Sequence, residues 1–350
     1  MAFRVLVAGG AGLVGSAVAR QLLSEGAEVV VADAMGLDGD GRDAKEARVA
    51  ALRAFPKSTF VAADLTLPGA ADELFRELAP AAVVNAALFP PGGPGVEALA
   101  EAIRSHGEPF LVHLSDGALY GPPSFPGQPA AEDEALEPGN DALLLQRIVE
   151  EDRLRASGIP HVVLRLFPLL APGPLPRRFP HRELEALLDG SEVVLPTDTL
   201  TDLLHLRDAV HGILAALALR PAGRTVNLAS GTGVAPSRVV RLLAEKAFRT
   251  VRIRVADVPF RPNRVASAAR AGELLRFRPR TPLEASLDEI VAARLGAPEI
   301  SSSRPGTSVR PASPASPSAG PASRAEEPRE VSRRELFGFF RRPFDDGKPR

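Results

Sequence analysis

The 350-residue chain carries 42 Lys and Arg against 43 Asp and Glu, so no overall positive field points to nucleic acid or an anionic membrane. It has no cysteine, which excludes disulfides, thiolate metal sites and cysteine nucleophiles. Its six histidines lack HExxH spacing, and no apolar run approaches the roughly 18 residues of a membrane span. We expect one large or two smaller domains and no metal site.

The N-terminal segment combines the elements of a dinucleotide site. Residues 3–8 are an apolar, β-prone run and residues 16–24 an amphipathic helix, and the turn between them contains Gly9, Gly12, Leu13, Val14 and Gly15. Glycines let the backbone approach a pyrophosphate, and a helix N-terminus offers unpaired N–H groups and a positive dipole end. We interpret these turn residues as cofactor contacts. The alternative is a glycine-rich turn without a ligand.

A carboxylate follows at the spacing that such a site requires. A second buried run, residues 28–32, ends in Asp33, which is placed to accept hydrogen bonds from the adenosine ribose. An acid at this position favours NAD, because it would repel the extra phosphate of NADP. The predicted cofactor is therefore NAD.

Strands and helices alternate through the first half of the chain. Further strands are predicted at residues 59–62, 82–85, 110–114 and 159–166, and helices at residues 43–55, 70–78, 96–106 and 141–156. This alternation predicts an α/β fold of Rossmann type, a doubly wound parallel sheet.

The second half is less regular. Short strands are predicted at residues 192–195, 225–228 and 251–255, and helices at residues 182–188, 208–219, 237–247, 268–275 and 283–295. We expect them to form a small C-terminal α/β substrate lobe, mainly residues 168–297, within a folded region of residues 1–297. Residues 298–330, rich in Pro, Ser and Ala, are expected to be a disordered linker, and residues 331–350 a short basic-aromatic tail motif.

Residues 1–19 have the charge and apolar run of a secretory signal peptide. The glycine turn explains the same residues better, so we expect a cytoplasmic protein.

Separated motifs resemble one family over residues 1–295. They are Gly9 to Gly15, Asp64-Leu65, Asn85-Ala86-Ala87, Ser115 with Leu119-Tyr120-Gly121, and residues 164–167, 201–210, 227–231 and 279–284. In this order they are similar to the extended short-chain dehydrogenase/reductases of the NAD-dependent epimerase/dehydratase family, which act mostly on nucleotide sugars. The resemblance implies that Asp64 and Leu65 bind adenine and that Ala86, Ala87 and Ser115 are further cofactor contacts.

The family's catalytic residues have no counterparts here. The resemblance implies a Tyr acid/base, a Lys four residues later that holds the nicotinamide ribose and lowers the pKa of the tyrosine, and a Ser/Thr that bonds the reacting oxygen. On the helix at 141–156, one register gives Ala142 and Gln146, and a shift of one gives Leu143 and Arg147. The chain's single tyrosine, Tyr120, belongs to another motif, and the Ser/Thr position holds Asp116.

Two interpretations of Asp116 and Tyr120 stay open. Asp116 ends a strand at the predicted cleft and could act as a base, with Tyr120 as a proton donor. In the alternative, Asp116 caps the following turn and Tyr120 is a packing residue. We name both as candidate catalytic residues.

Other parts of the chain suggest partners. The tail at residues 332–342 presents Leu and Phe beside Arg, which suits a protein groove or a membrane surface, although a solvated end without a partner is the alternative. The family resemblance and the run Leu143-Leu144-Leu145 suggest a homodimer through helices 96–106 and 141–156.

Two function hypotheses follow. The first is an NAD-binding, epimerase/dehydratase-like protein of nucleotide-sugar type with degenerate catalytic residues. The second is a non-catalytic NAD-binding regulatory or scaffolding protein whose tail recruits a partner. The family resemblance favours the first, and the missing Tyr/Lys pair favours the second.

Overall fold

The computed structural model describes residues 3–36, 41–91, 93, 95–123, 127–173, 175, 177–256 and 264–296. The strands are β1 (Arg4–Ala8), β2 (Glu28–Asp33), β3 (Ser58–Ala62), β4 (Ala82–Asn85), β5 (Phe110–Asp116), β6 (His161–Leu166), β7 (Leu169–Leu170), β8 (Val193–Leu195), β9 (Thr201–Asp202), β10 (Leu204–His205), β11 (Arg224–Leu228), β12 (Gly233–Val234) and β13 (Ile253–Val255). The helices are α1 (Leu13–Ser24), α2 (Arg42–Arg53), α3 (Ala70–Leu78), α4 (Gly95–Ser105), α5 (Ala142–Ser157), α6 (His181–Leu188), α7 (Leu206–Leu219), α8 (Pro236–Lys246), α9 (Ala269–Leu275) and α10 (Leu283–Leu295).

A seven-stranded parallel sheet is the centre of the fold. Its strand order is β11-β6-β5-β4-β1-β2-β3. After β3 the chain crosses back over β1 to form β4, so the connections on the two sides of β1 run in opposite directions. In sheets of this kind a crevice forms at the carboxyl ends of the strands where the direction reverses, here between β1 and β4.

Apolar side chains cover both faces of this sheet, which is why β1, β2 and β4 are apolar runs without alternation. On one face α1 and α7 pack through Leu22, Ile213 and neighbouring residues. On the other face α3, α4 and α5 contribute Phe75, Leu99 and Leu154. The sheet is therefore the middle layer of three.

A separate apolar cluster holds the C-terminal lobe together. Helices α6, α8 and α10 surround the short strand β8, and Leu184, Val193, Leu243 and Ile290 are buried among them. The lobe packs beside the carboxyl ends of the large sheet through β7, which follows β6 directly.

The predicted fold class is confirmed, and most element boundaries lie within two residues of the prediction. The C-terminal half is less separate than the sequence suggested. Strand β11 pairs with β6 and completes the large sheet, and α7 covers its face. Local sequence patterns do not predict this pairing, because it joins residues about sixty positions apart.

Two sequence predictions lie outside the described residues, namely the linker at 298–330 and the tail motif at 331–350. Among the described residues, no helix combines the length and apolar character needed to cross a membrane.

One buried carboxylate connects the lobe to the sheet. Asp202, in β9, accepts hydrogen bonds from the backbone N of Ser230 (2.8 Å), Gly231 (2.9 Å) and Ala266 (3.2 Å), and also from the Ser230 hydroxyl. These partners follow β11 and precede α9, so a single side chain joins three distant segments.

We expect Asp202→Ala to lower the free energy of unfolding by about 3–4 kcal/mol, because it removes a fully buried carboxylate that accepts four hydrogen bonds, three of them from backbone N–H groups. Urea unfolding measures the loss. Asp152→Ala removes an exposed carboxylate from α5 and is the matched control, with an expected change below about 0.5 kcal/mol. Equal effects of the two substitutions would contradict this role for Asp202.

Candidate functional site

A cleft of about 820 Å³ opens at the carboxyl ends of the central strands, between the sheet and the C-terminal lobe. All the candidate residues from the sequence lie on its wall. They are Gly9, Gly12, Leu13, Val14, Gly15, Asp33, Asp64, Leu65, Ala86, Ala87, Ser115, Asp116 and Tyr120. The fold thus brings residues from five successive strand ends to one surface.

The glycine turn forms the floor of the cleft between β1 and α1. Gly9 has φ +69°, and a Cβ there would lie 2.5 Å from the backbone N of Ala87. A Cβ on Gly15 would lie 2.3 Å from the carbonyl oxygen of Gly9. A Cβ on Gly12 would meet only that same oxygen, at 3.2 Å, so Gly12 borders the open cleft. Gly9 and Gly15 permit the turn, while Gly12 leaves room for a ligand against the helix N-terminus.

Asp33 lies at the end of β2 as predicted, but it is already paired. Its carboxylate accepts hydrogen bonds from the backbone N of Ala11 (3.0 Å) and of Met35 (2.8 Å). It also forms a buried ion pair with Lys45, whose Nζ lies 3.0 Å from Oδ1. Lys45 is only 3% exposed and borders the cleft. A dinucleotide ribose would meet an ion pair rather than a lone carboxylate.

The residues that follow β3 and β4 form fewer hydrogen bonds. Asp64, after β3, accepts from the backbone N of Thr66 (2.9 Å) and from its hydroxyl (2.6 Å). Ala86 and Ala87 continue β4, and the side-chain oxygen of Asn85 accepts from Ala87 N at 3.2 Å. These bonds orient the loops along the cleft wall.

Ser115 and Tyr120 belong to one buried polar network. The Ser115 hydroxyl donates to Glu151 Oε1 (2.6 Å), and Glu151 forms an ion pair with Arg165 at 2.7 Å. Arg165 also donates to the hydroxyl of Tyr120 (2.8 Å), which itself donates to Asn227 Oδ1 (2.7 Å). The network joins β5, α5, β6 and β11 beneath the cleft.

The network fixes the state of Tyr120, which is 1% exposed. Burial raises the pKa of the Tyr120 phenol, with Arg165 opposing that effect. The phenol is therefore protonated at neutral pH, and its proton lies in the bond to Asn227.

Asp116 is the exposed last residue of β5. Its carboxylate accepts from the backbone N of Ala118 at 2.7 Å, which caps a single 3-10 turn at Gly117–Leu119. This is the geometry of the capping alternative raised from the sequence, although the side chain also borders the cleft.

Across the whole of α5, Arg147 is the residue that lines the cleft. Its guanidinium donates to Glu150 Oε2 (2.7 Å) and to the carbonyl oxygen of Ala87 (3.3 Å). Gln146 is buried instead and donates to Glu150 at 3.4 Å. One turn before Arg147, Leu143 is 53% exposed and lies off the cleft wall.

Sequence reasoning missed Lys45, and it named Arg147 in one of two registers without a site role. Lys45 is the more important of the two residues. It lies in the first turn of α2, the helix that follows β2, and its charge is paired with that of Asp33. Arg178 and Arg264 also border the cleft. The guanidinium of Arg264 donates to Glu134 Oε2 (3.0 Å) and to the carbonyl oxygen of Gly121 (2.6 Å).

A buried histidine lies behind Arg147. The Nδ1 of His113 is 3.0 Å from Asn85 Nδ2, and its Nε2 is 3.6 Å from Glu150 Oε2. Burial lowers the pKa of His113 well below its ordinary value, and the charges of Arg147 and His161 add to the effect. Glu150 opposes it, but Arg147 neutralises that carboxylate at 2.7 Å. His113 is thus held neutral.

We expect the free energy of unfolding to fall as the pH drops below about 6.5, because the unfolded chain takes up a proton that folded His113 refuses. Each such histidine contributes up to about 1.4 kcal/mol per pH unit. Burial also lowers the pKa of His181 and His205, so they add to the same slope.

Urea unfolding of the His113→Gln variant between pH 8 and pH 5, compared with wild type, measures this share. The variant is expected to lose part of the slope, and its stability at pH 8 reports the packing cost separately. An unchanged slope would show that His113 takes up its proton over the same pH range in the folded and the unfolded chain, which would contradict this expectation.

Comparisons with known proteins find similar sequences and structures. Residues 5–229 match the model of the NAD dependent epimerase/dehydratase family. A dTDP-glucose 4,6-dehydratase of Streptomyces griseus is 29% identical over 273 residues, which are 71% of this chain and 79% of the relative.

Solved structures share the fold. A UDP-glucuronic acid 4-epimerase from Bacillus cereus, in complex with UDP-glucuronic acid and NAD, has a TM-score of 0.76 at 20% identity, over 84% of this chain and 99% of its own. A UDP-glucose 4-epimerase from Thermus thermophilus, in complex with NAD, has a TM-score of 0.69 at 24% identity, over the same shares.

Proposed function

Because the chain belongs to the NAD dependent epimerase/dehydratase family, we propose that its cleft binds NAD and a nucleotide sugar without the family's proton-transfer pair. NAD is the family's cofactor, as the sequence predicted. The family model and the similarity to a dTDP-glucose dehydratase support the nucleotide-sugar class. The main support for the proposal comes from α5, where Arg147 lines the cleft and Leu143, four residues earlier, does not.

The residues of the cleft suit a dinucleotide. Gly12 leaves the helix N-terminus open for a pyrophosphate, and Asp33 and Asp64, the predicted contacts to ribose and adenine, border the same cleft. When bound, NAD would supply a hydride acceptor. Arg147 keeps a cationic donor at the wall of the cleft, where the family's lysine holds the nicotinamide ribose.

The second role of that lysine is lost. A guanidinium stays charged, but without a neighbouring tyrosine it has no phenol whose pKa it could lower. Leu143, in the register that pairs with Arg147, cannot transfer a proton. The remaining phenol, Tyr120, has its proton engaged with Asn227. The proposed protein therefore binds its ligands and turns them over slowly at most.

Mutation of Gly12 tests ligand binding. We expect Gly12→Val to abolish NAD+ binding in calorimetric titrations of the full chain, because the side chain fills the space for the pyrophosphate. Gly272→Val, in α9 with only Phe277 O within 4.0 Å of a Cβ, is the matched control and retains binding. Normal binding by Gly12→Val, with the fold intact by circular dichroism, would place the dinucleotide elsewhere.

A second candidate is catalysis through Asp116, favoured by its exposure at the cleft. The two candidates are separated by product analysis after incubation with NAD+ and either UDP-glucose or dTDP-glucose. Under our proposal turnover lies about 10²–10⁴ below that of a family enzyme with its acid/base, and Asp116→Ala leaves it unchanged. Turnover that disappears in Asp116→Ala but persists in Asp152→Ala would establish the second candidate instead.

The regulatory or scaffolding role and the homodimer are further proposals. Leu143 and Leu145 are 53% and 46% exposed on α5, while Leu144 between them is buried, so two of the three leucines are available to a second copy. The tail that would recruit a partner lies outside the described residues. Sedimentation of the full chain at several concentrations tests the dimer.

A further inference from the structure

We propose that Lys45 equips the adenosine-ribose end of the cleft to accept a 2′-phosphate, so that the chain binds NADP as well as NAD. This inference rests on the proposed function, because it concerns the same dinucleotide site. It concerns the residue that sequence reasoning missed, and it changes the electrostatic argument made from Asp33 alone.

Asp33 selects NAD over NADP only if its carboxylate is unpaired. An isolated negative charge beside the ribose repels a 2′-phosphate and thereby selects NAD. In the structure Lys45 Nζ lies 3.0 Å from Asp33 Oδ1, and both side chains are nearly inaccessible to solvent. The two opposite charges cancel, so the pair presents no net charge to the ribose. Because the pair is buried, salt screens it little.

The geometry of α2 brings the cation to this place. Lys45 lies in the first turn of α2, whose N-terminal end therefore points toward the end of β2. The same helix carries Arg48, which donates to the carbonyl oxygen of Ala11 in the glycine turn at 3.3 Å. Two cations and the positive end of a helix dipole thus converge beside one carboxylate.

A second carboxylate, Asp64, borders this end of the cleft. It follows β3, on the far side of β2 from the glycine turn, and is hydrogen-bonded to Thr66. Counted together, Asp33, Asp64, Lys45 and Arg48 sum to zero charge. Lys45 and Arg48 thus offset the two carboxylates that would repel a 2′-phosphate, and Lys45, the one of these two cations that lines the cleft, is paired with Asp33 at 3.0 Å.

Calorimetric titration of the full chain with NAD+ and with NADP+ tests this inference directly. We expect the two dissociation constants of the wild type to differ by no more than about tenfold. In Lys45→Met the carboxylate of Asp33 is unpaired, and NADP+ binding should weaken by at least about tenfold while NAD+ binding changes by less than about threefold. Lys57→Met removes an exposed lysine that donates to the carbonyl oxygen of Gly26, away from the cleft, and should change neither constant.

The possible results distinguish a failure of this inference from a failure of the proposed function. If the wild type binds NAD+ but binds NADP+ more than about tenfold more weakly, the inference is wrong and the proposed function stands. If Lys45→Met weakens both nucleotides equally, Lys45 is a general contact and the inference is likewise overturned. If neither nucleotide binds the wild type, the proposed function fails and the inference with it. The wild-type ratio decides the matter even if Lys45→Met does not fold.

Discussion

The close approach of two backbones at the end of β1 is the constraint on which the rest of the site depends. At Gly9 and Gly15 a single added carbon would lie within 2.5 Å of backbone atoms of Ala87 and of Gly9. Only residues without Cβ let β1, α1 and the chain after β4 meet at such distances. That meeting point is also where the direction of the connections reverses, so the crowded turn and the open cleft have one structural origin.

In our proposal the two ends of the cleft differ in how many of the residues that the family resemblance implies they contain. The dinucleotide end keeps its glycines, its strand-end carboxylates and the open helix N-terminus. At the other end the reacting group would meet a hydroxyl bonded to Glu151, a capping aspartate and a buried phenol. Arg165, Glu151 and Tyr120 are each hydrogen-bonded within the protein, and the network they form stabilises the contacts between the strands.

Much of this arrangement could be predicted from the sequence, because it depends on local signals. Glycines before a helix, apolar runs without alternation and the single tyrosine are each readable over a few residues. The contribution of Lys45 was not, since its pairing with Asp33 depends on the rotation of α2 against β2. The incorporation of β11 into the large sheet and the bonds of Asp202 to three segments are likewise consequences of tertiary packing. For α5 the sequence allowed two registers, and the cleft wall favours the one that contains Arg147.

The central claim is that the cleft holds a dinucleotide and a sugar but transfers the proton that hydride transfer requires about 10²–10⁴ more slowly than a family enzyme with its acid/base. The most direct measurement mixes the NAD+-saturated full chain with excess dTDP-glucose and follows the near-ultraviolet absorbance of reduced nicotinamide within one turnover. Our account predicts that the absorbance rises about 10²–10⁴ more slowly than in a family enzyme with its acid/base that is measured beside it. A rise as fast as in that enzyme would contradict it and would show that another residue of the chain accepts the proton.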